Sequence, residues 1–298
     1  MQNDSLKALE TLEKILTHEI KAPSDLEASL LIEHKEACCR KLLPMLAYEI
    51  TEMQEDRSWE PYKLFQILKL LGAFREPRAF DWIVQLKSHK EVFDEGEHDA
   101  ISMVWGDIIE ATAPEDWNHL KGYIESIDSC SDFKEGCVNA LISRMCQGKL
   151  SRSDLVDYFD ELYSHNLSGE TYDPELLVIL ADASTALWPG ESLEEIREVF
   201  GLGLIPHRMM SFSEVLDAYN LGQKTCMENL EACPHPLTLE EYFSEDLNPE
   251  EEEEELEPSN EDLDEIEIEQ EILESDDEEI QDPLYCEEIE TLAESDQA

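Results

Sequence analysis

The chain is short of basic residues and glycine and has no paired-cysteine motif, and each shortage removes a class of function. Its 298 residues hold 21 Lys and Arg against 73 Asp and Glu, a formal net charge of −52. A surface with that balance repels phosphate backbones and anionic lipid headgroups and attracts basic proteins. No basic stripe exists to neutralise phosphates, so direct nucleic-acid binding is not expected. The eleven glycines form no G-x-x-x-x-G-K-[ST] phosphate loop and no G-x-S-x-G elbow, and H-E-x-x-H does not occur. The eight cysteines, at 38, 39, 130, 137, 146, 226, 233 and 286, contain no C-x-x-C pair. In a chain this long they do not form a disulfide framework and read as reduced, mostly buried thiols. No apolar run approaches the ~20 residues that span a bilayer. Met1–Leu6 opens without a basic region and an apolar segment of the secretory kind, so a cytoplasmic protein with no membrane span is expected.

What the chain does have is helical periodicity. Leu6, Leu9, Leu12, Leu16 and Ile20 recur at three or four residues and define one apolar face. After Pro23, Ser24 or Asp25 can cap a second helix carrying Leu26, Leu30, Leu31 and Ala37. No alternating strand pattern appears, and the expected fold class is all-α.

Four segments then read as helix, short break, helix, beginning at Pro61, Asp99, Asp132 and Asp173. The apolar residue opening each second helix recurs at Phe80, Trp117, Leu155 and Leu193, spaced 37, 38 and 38 apart. A period near 40 with two helices per unit is the range of HEAT-type repeats, in which neighbours stack because one hairpin cannot bury both of its apolar faces. The breaks carry ending and capping residues: Gly72 with Pro77, Pro114 with Asp116, Gly148 with Ser151, Pro189 with Ser192. The expected organisation is a HEAT-like helical-repeat solenoid over 1–236. It comprises N-terminal helices over 1–55, four helix pairs over about 59–204 and a closing helix over about 211–222.

The segments LGAFREPRAF at 71–80 and ALWPGESLEEIREVFGLGLI at 186–205 resemble the uncharacterised bacterial family catalogued as domain of unknown function 1186. The resemblance covers roughly residues 25–222. It implies a helical-repeat fold and supplies no reaction, cofactor or catalytic residue. Some members carry a C-terminal Cys-rich SEC-C zinc motif; this chain has an acidic stretch in its place.

That stretch, 237–298, is expected to be a disordered tail. Thr238 to Ala298 holds 29 acidic residues and no Lys or Arg, which leaves 44 acidic and 21 basic residues before it, a net −23. Such a composition cannot offset the ordering cost of ~1–2 kcal/mol per residue for backbone alone. Leu263, Ile266, Leu273, Ile280 and Leu284 would nevertheless fall near one stripe of a helix. Ile266, Leu273, Ile280, Leu284 and Tyr285 are therefore candidate contacts for a partner on which the tail folds.

In the body, Arg75 and Arg78 of FREPRAF are the candidate contacts, read either as intra-repeat ion pairs fixing a turn or as contacts to a partner carboxylate. Cys226, Cys233 and His235, with His207, are the nearest approach to a zinc set, but their spacing lacks the tight C-x2-4-C pair of structural sites. Cys137 falls in the apolar pattern with Val138, Leu141 and Ile142 and reads as core, as do Trp82, Trp105, Trp117 and Trp188 by their place in the repeat. No cofactor, metal or catalytic residue is expected. The expected function is a non-enzymatic scaffold or adaptor, with a helical-repeat surface for one protein partner and the acidic tail for a basic one. The alternative is an acidic chaperone or nucleic-acid mimic that shields a basic protein.

Overall fold

A computed structural model describes residues 2–55, 62–89, 99–169, 172–206, 208–232 and 237–243. Among these every regular element is helical and no strand occurs. The N-terminal helices are α1 (Gln2–Leu16), α2 (Asp25–Glu33) and α3 (Lys35–Glu55). Four pairs follow: α4 (Tyr62–Ala73) with α5 (Phe80–Ile83), α6 (Asp99–Thr112) with α7 (Asn118–Ile124), α8 (Ser131–Cys146) with α9 (Arg152–Leu167), and α10 (Pro174–Leu187) with α11 (Leu193–Gly201). The chain continues through α12 (Phe212–Leu221), α13 (Gln223–Glu231) and α14 (Leu239–Tyr242). No described helix is long and apolar enough to cross a membrane.

Local chemistry sets the helix starts. Ser24 and Glu27 form a capping box before α2, with the Ser24 amide donating to Glu27 Oε2 at 3.0 Å. Ser151 and Asp173 accept the amides of Asp154 and Leu176 at 3.1 and 2.9 Å, satisfying donors that a helix leaves unpaired. The second arm of the first pair is less regular than its periodicity suggests. Glu76 caps a 3₁₀ turn at Pro77–Ala79, α5 lasts one turn, and a second 3₁₀ turn follows at Val84–Ser88.

The first helices of the pairs pack in chain order, α4 on α6, α6 on α8, α8 on α10, and α10 on both α12 and α13. Helices α6 and α8 approach each other closely at two glycines. A Cβ on Gly106 would stand 2.5 Å from Asn139 Cβ, and one on Gly136 would stand 2.3 Å from Trp105 Cδ1. Trp105, 2% exposed, meets Phe133 edge to face with centroids 6.0 Å apart. One buried cluster runs from Ala8 to Phe243.

Two expectations need correction. The α1 face is Ala8, Leu12, Ile15 and Leu16, whereas Leu6 is 56% exposed, and Leu26 of α2 is 82% exposed. Periodicity identifies a helix, but the neighbours choose which stripe is covered. The boundary at 237 also falls too early, because α14 belongs to the body: Leu239, Tyr242 and Phe243 are all buried. Their i, i+3, i+4 spacing makes an apolar face that the acidic composition around them conceals. The tail residues Ile266, Leu273, Ile280, Leu284 and Tyr285 lie outside the described residues.

Candidate functional site

The turns between helices carry most of the charge chemistry. Arg75 ends α4 in the left-handed region, at φ 50°, where the equivalent residue after α8 is Gly148 at φ 70°. Its guanidinium pairs with Glu110 of α6 at 2.8 Å, and Lys149 from the turn after α8 reaches the other Glu110 oxygen at 2.7 Å. Glu110 is thus a buried carboxylate held between cations from two different helix pairs. Burial works against its charge, but Lys149, Arg75 and Gln147 outweigh it and hold the carboxyl below its ordinary value. Arg78 makes a local arrangement instead, clasping Glu76 through Nε and a terminal nitrogen at 2.6 Å each and reaching Glu36 of α3 at 3.1 Å. The two sequence candidates therefore do different things: Arg78 fixes its own turn and reaches back to α3, and Arg75 ties its pair to the next.

The same device recurs along the chain. Arg144 of α8, 4% exposed, donates to the carbonyls of Ala113, Pro114 and Glu115 just beyond α6. Arg152 donates to the carbonyls of Leu187 and Trp188 at the end of α10 and clasps Glu191 at 2.7 and 2.8 Å. Lys134 of α8 pairs with Asp173, the cap of α10. Cations at helix C-termini satisfy unpaired carbonyls and oppose the helix dipole.

The ALWPGES motif is read by this arrangement. Pro189 disfavours helical backbone at the preceding residue, and Trp188 sits at φ 77°. Its indole stacks on Tyr219 of α12 with centroids 5.8 Å apart and donates to the Tyr219 carbonyl at 3.1 Å. Gly190 leaves the room the indole occupies, since a Cβ there would lie 2.1 Å from the ring. Of the four tryptophans read as core, Trp105 is fully buried, while Trp82 and Trp117 pack partly buried against the core.

Three buried thiols are held in the protonated form at neutral pH. Burial pushes Cys38 up to about 11 and Cys39 to about 12, and Cys137 higher still. No group of three or more His, Cys, Asp or Glu among the described residues is placed to hold a metal ion. Cys226 is buried, with its thiol 3.5 Å from the Ala218 carbonyl; His207, Cys233 and His235 lie outside the described residues.

The feature hardest to foresee is α14. It packs on α4 and touches α2. Thr238 begins it with a capping box to Glu241, and the Tyr242 hydroxyl comes within 3.1 Å of where a Gly72 Cβ would be. The Phe243 ring centroid lies 5.8 Å from Lys69 Nζ. Burial lowers Lys69 to about 8 and raises the Tyr242 hydroxyl well above its usual value. The signal that finds α14 in the sequence is T-L-E-E-Y-F, a capping box over an amphipathic turn.

Glu76 supports a test of the turn chemistry. The Arg78 hydrogen bonds depress its carboxyl from 4.5 to about 2. A depressed carboxylate contributes stability that is present above its unfolded value and is lost as pH falls from about 4.5 through about 2. Because Arg78 is half exposed, screening reduces the contribution to about 1–2 kcal/mol. Glu76→Gln should lower stability by that amount at neutral pH and by progressively less below pH ~4.5. Parallel acid-unfolding curves for the two chains would contradict this assignment.

These observations define a class: an all-helical protein of successive helix pairs, tied across their turns by buried charges. Residues 7–246 match the family described as "Protein of unknown function (DUF1186)", and the chain belongs to that family. The match extends beyond the resemblance at both ends and takes in most of α1 and all of α14. No curated protein and no solved structure matches the chain.

Proposed function

We propose that the protein is a non-enzymatic, cytoplasmic scaffold or adaptor that offers a HEAT-like repeat surface to a protein partner and its acidic C-terminal stretch to a basic one. The observation that carries this reading is where the basic side chains go. From Lys63 to Arg152, each described Lys and Arg touches a carboxylate, a backbone carbonyl or an aromatic ring of the same chain. Within that span the cations are paired inside the chain, and the surplus of carboxylates sets the sign of the field presented outward. A partner selected by that field is cationic.

The acidic stretch supports a second reading, an acidic chaperone or nucleic-acid mimic. Fully extended, Glu250–Glu255 places a charge every ~3.3–3.6 Å, close to the ~3.4 Å per phosphate of a single strand. Over the whole stretch the spacing is ~7 Å, at one charge per two residues, sparser than a duplex. A mimic would release its basic partner to competing DNA, whereas a scaffold would hold it.

The experiment is a pull-down and titration with the full chain, a chain lacking 250–298, and a chain with Ile266, Leu273, Ile280 and Leu284 replaced by Ser. Electrostatic attraction weakens once the Debye length falls below its ~8 Å physiological value, while apolar burial at ~25 cal/mol per Å² persists. The deletion is expected to abolish the salt-sensitive association. The serine variant is expected to keep that component and lose the salt-resistant one. Unchanged interactions after deleting 250–298 would refute the role of the stretch.

A further inference from the structure

We propose that the edge at which α8, α10 and α12 begin is a docking surface for an extended basic segment of a partner protein, held in the polyproline II conformation with an apolar side chain at every third residue. The inference deepens the scaffold reading and rests on it, because it gives the helical surface one location and one kind of occupant.

The three helices start side by side. Lys134, near the start of α8, pairs with Asp173, the cap of α10, while Arg152 beyond α8 reaches the carbonyls of Leu187 and Trp188 at the end of α10. Trp188 in turn stacks on Tyr219 near the end of α12. The helices therefore run parallel, and their N-terminal ends succeed one another at the spacing of packed helices, about 8–10 Å. Each start is preceded by a large apolar side chain turned to solvent: Ile127 is 95% exposed, Tyr172 63% and Met209 48%. A hydrophobic staple would bury the residue before the cap, as Met210 is buried before Ser211. Single exposed apolar residues are ordinary, but the same feature at three successive helix starts makes a row.

Spacing and charge select the occupant. A polyproline II segment has three residues per turn and rises ~3.1 Å per residue, so every third side chain returns to one face after about 9 Å. That step matches the row. An α-helix returns to one face every ~5.4 Å and a β-strand every ~6.6–6.8 Å, and neither keeps step with it. The turns that carry the row, residues 125–132, 172–175 and 208–211, hold five Asp and Glu against one cation, Arg208. Of the five, Asp173 already pairs with Lys134. A segment with Lys or Arg between its apolar residues answers the others, and an acidic segment is repelled. Binding such a segment costs little ordering entropy, because the conformation is populated before contact.

The test titrates the full chain with a labelled peptide of Leu-Pro-Arg repeats and with a second peptide of the same composition whose leucines are grouped at one end. The acidic C-terminal stretch attracts both peptides alike, so the difference between them reads the edge. Wild type is expected to bind the repeat peptide at least about tenfold more tightly than the grouped one. The variant Ile127→Ser, Tyr172→Ser, Met209→Ser should lose that difference while still binding both peptides through charge. Its three positions are exposed, so its thermal midpoint should stay that of wild type. A peptide of Leu-Pro-Glu repeats should not bind. Equal affinity of wild type for the two arginine peptides, or a difference that survives in the serine variant, overturns the proposal. A wild-type dimer in sedimentation that the serine variant lacks would assign the edge to a second copy and overturn it as well. If the proposal fails while deleting 250–298 still abolishes the salt-sensitive association, the edge is wrong and the scaffold reading stands.

Discussion

Arg144→Met is expected to lower the stability of the protein by about 3–5 kcal/mol. Methionine keeps most of the side-chain volume, so the change isolates the guanidinium. That group donates to Pro114 O at 2.8 Å and to Ala113 O and Glu115 O at 3.3 Å, and it is buried. Removing it leaves three carbonyls beyond α6 without their donor. It also removes the counter-charge to Glu110, Glu115 and Asp116, whose fields oppose, in part, the burial that lowers the arginine's pKa. Hydrogen bonds to charged groups are worth about 1.5–3 kcal/mol each and do not add fully. Arg144→Lys should restore only part of the loss, because an ammonium cannot fork across three acceptors. The control is Arg197→Met, whose exposed i,i+3 pair with Glu194 should matter by about 0.5 kcal/mol or less. Denaturant midpoints at constant m-value read the difference. Equal effects of the two arginine changes would show that the turn beyond α6 does not depend on Arg144.

The second large effect is expected at the crossing of α6 and α8. Gly136→Ala would place a methyl 2.3 Å from Trp105 Cδ1 and 2.9 Å from both Trp105 Nε1 and Ile109 Cδ1. The indole is 2% exposed and pressed against Phe133, so it has nowhere to move without shifting a helix. Overpacking of this kind costs about 1–3 kcal/mol, and occasionally more. Alanine recovers up to about 1 kcal/mol through helix propensity. The overlap is severe and the neighbour rigid, so a net loss of about 2 kcal/mol or more is expected. Gly122 of α7 supplies the opposite case, with nothing within 4 Å of an added Cβ. There the propensity gain stands alone, and Gly122→Ala should stabilise by a few tenths to about 1 kcal/mol. Thermal unfolding of the two variants should move in opposite directions, and a shared direction would show that the α6–α8 contact is looser than these distances imply.

The helical class was legible in the sequence because it is written in local terms. Apolar residues at three- and four-residue spacing, Ser24 and Ser151 at helix starts, and Gly148 after α8 act within a turn or two of themselves. The candidate site was only half legible. Arg75 and Arg78 stand out as cations in an acidic chain, and Arg78 does pair within its own turn. Arg75 instead meets Glu110, 35 residues away and in the next helix pair. Nothing in FREPRAF distinguishes the two residues. Gly106 and Gly136 likewise read as weak points in their helices until the opposing Asn139 and Trp105 are in place.

Composition misled at α14 for a related reason. Averaged over 237–298, the acidic residues dominate, and they hide three apolar side chains whose worth depends on the surface of α4, far away in the sequence. By itself the sequence determined the charge, the helical period and the ends of most helices, since these follow from backbone geometry and residue type. The tertiary structure alone decided which stripe of each helix is covered, which carboxylate receives each cation, and that the segment after α13 returns to α4. Those choices depend on close packing between surfaces far apart in sequence, where volume and charge must match at a particular distance.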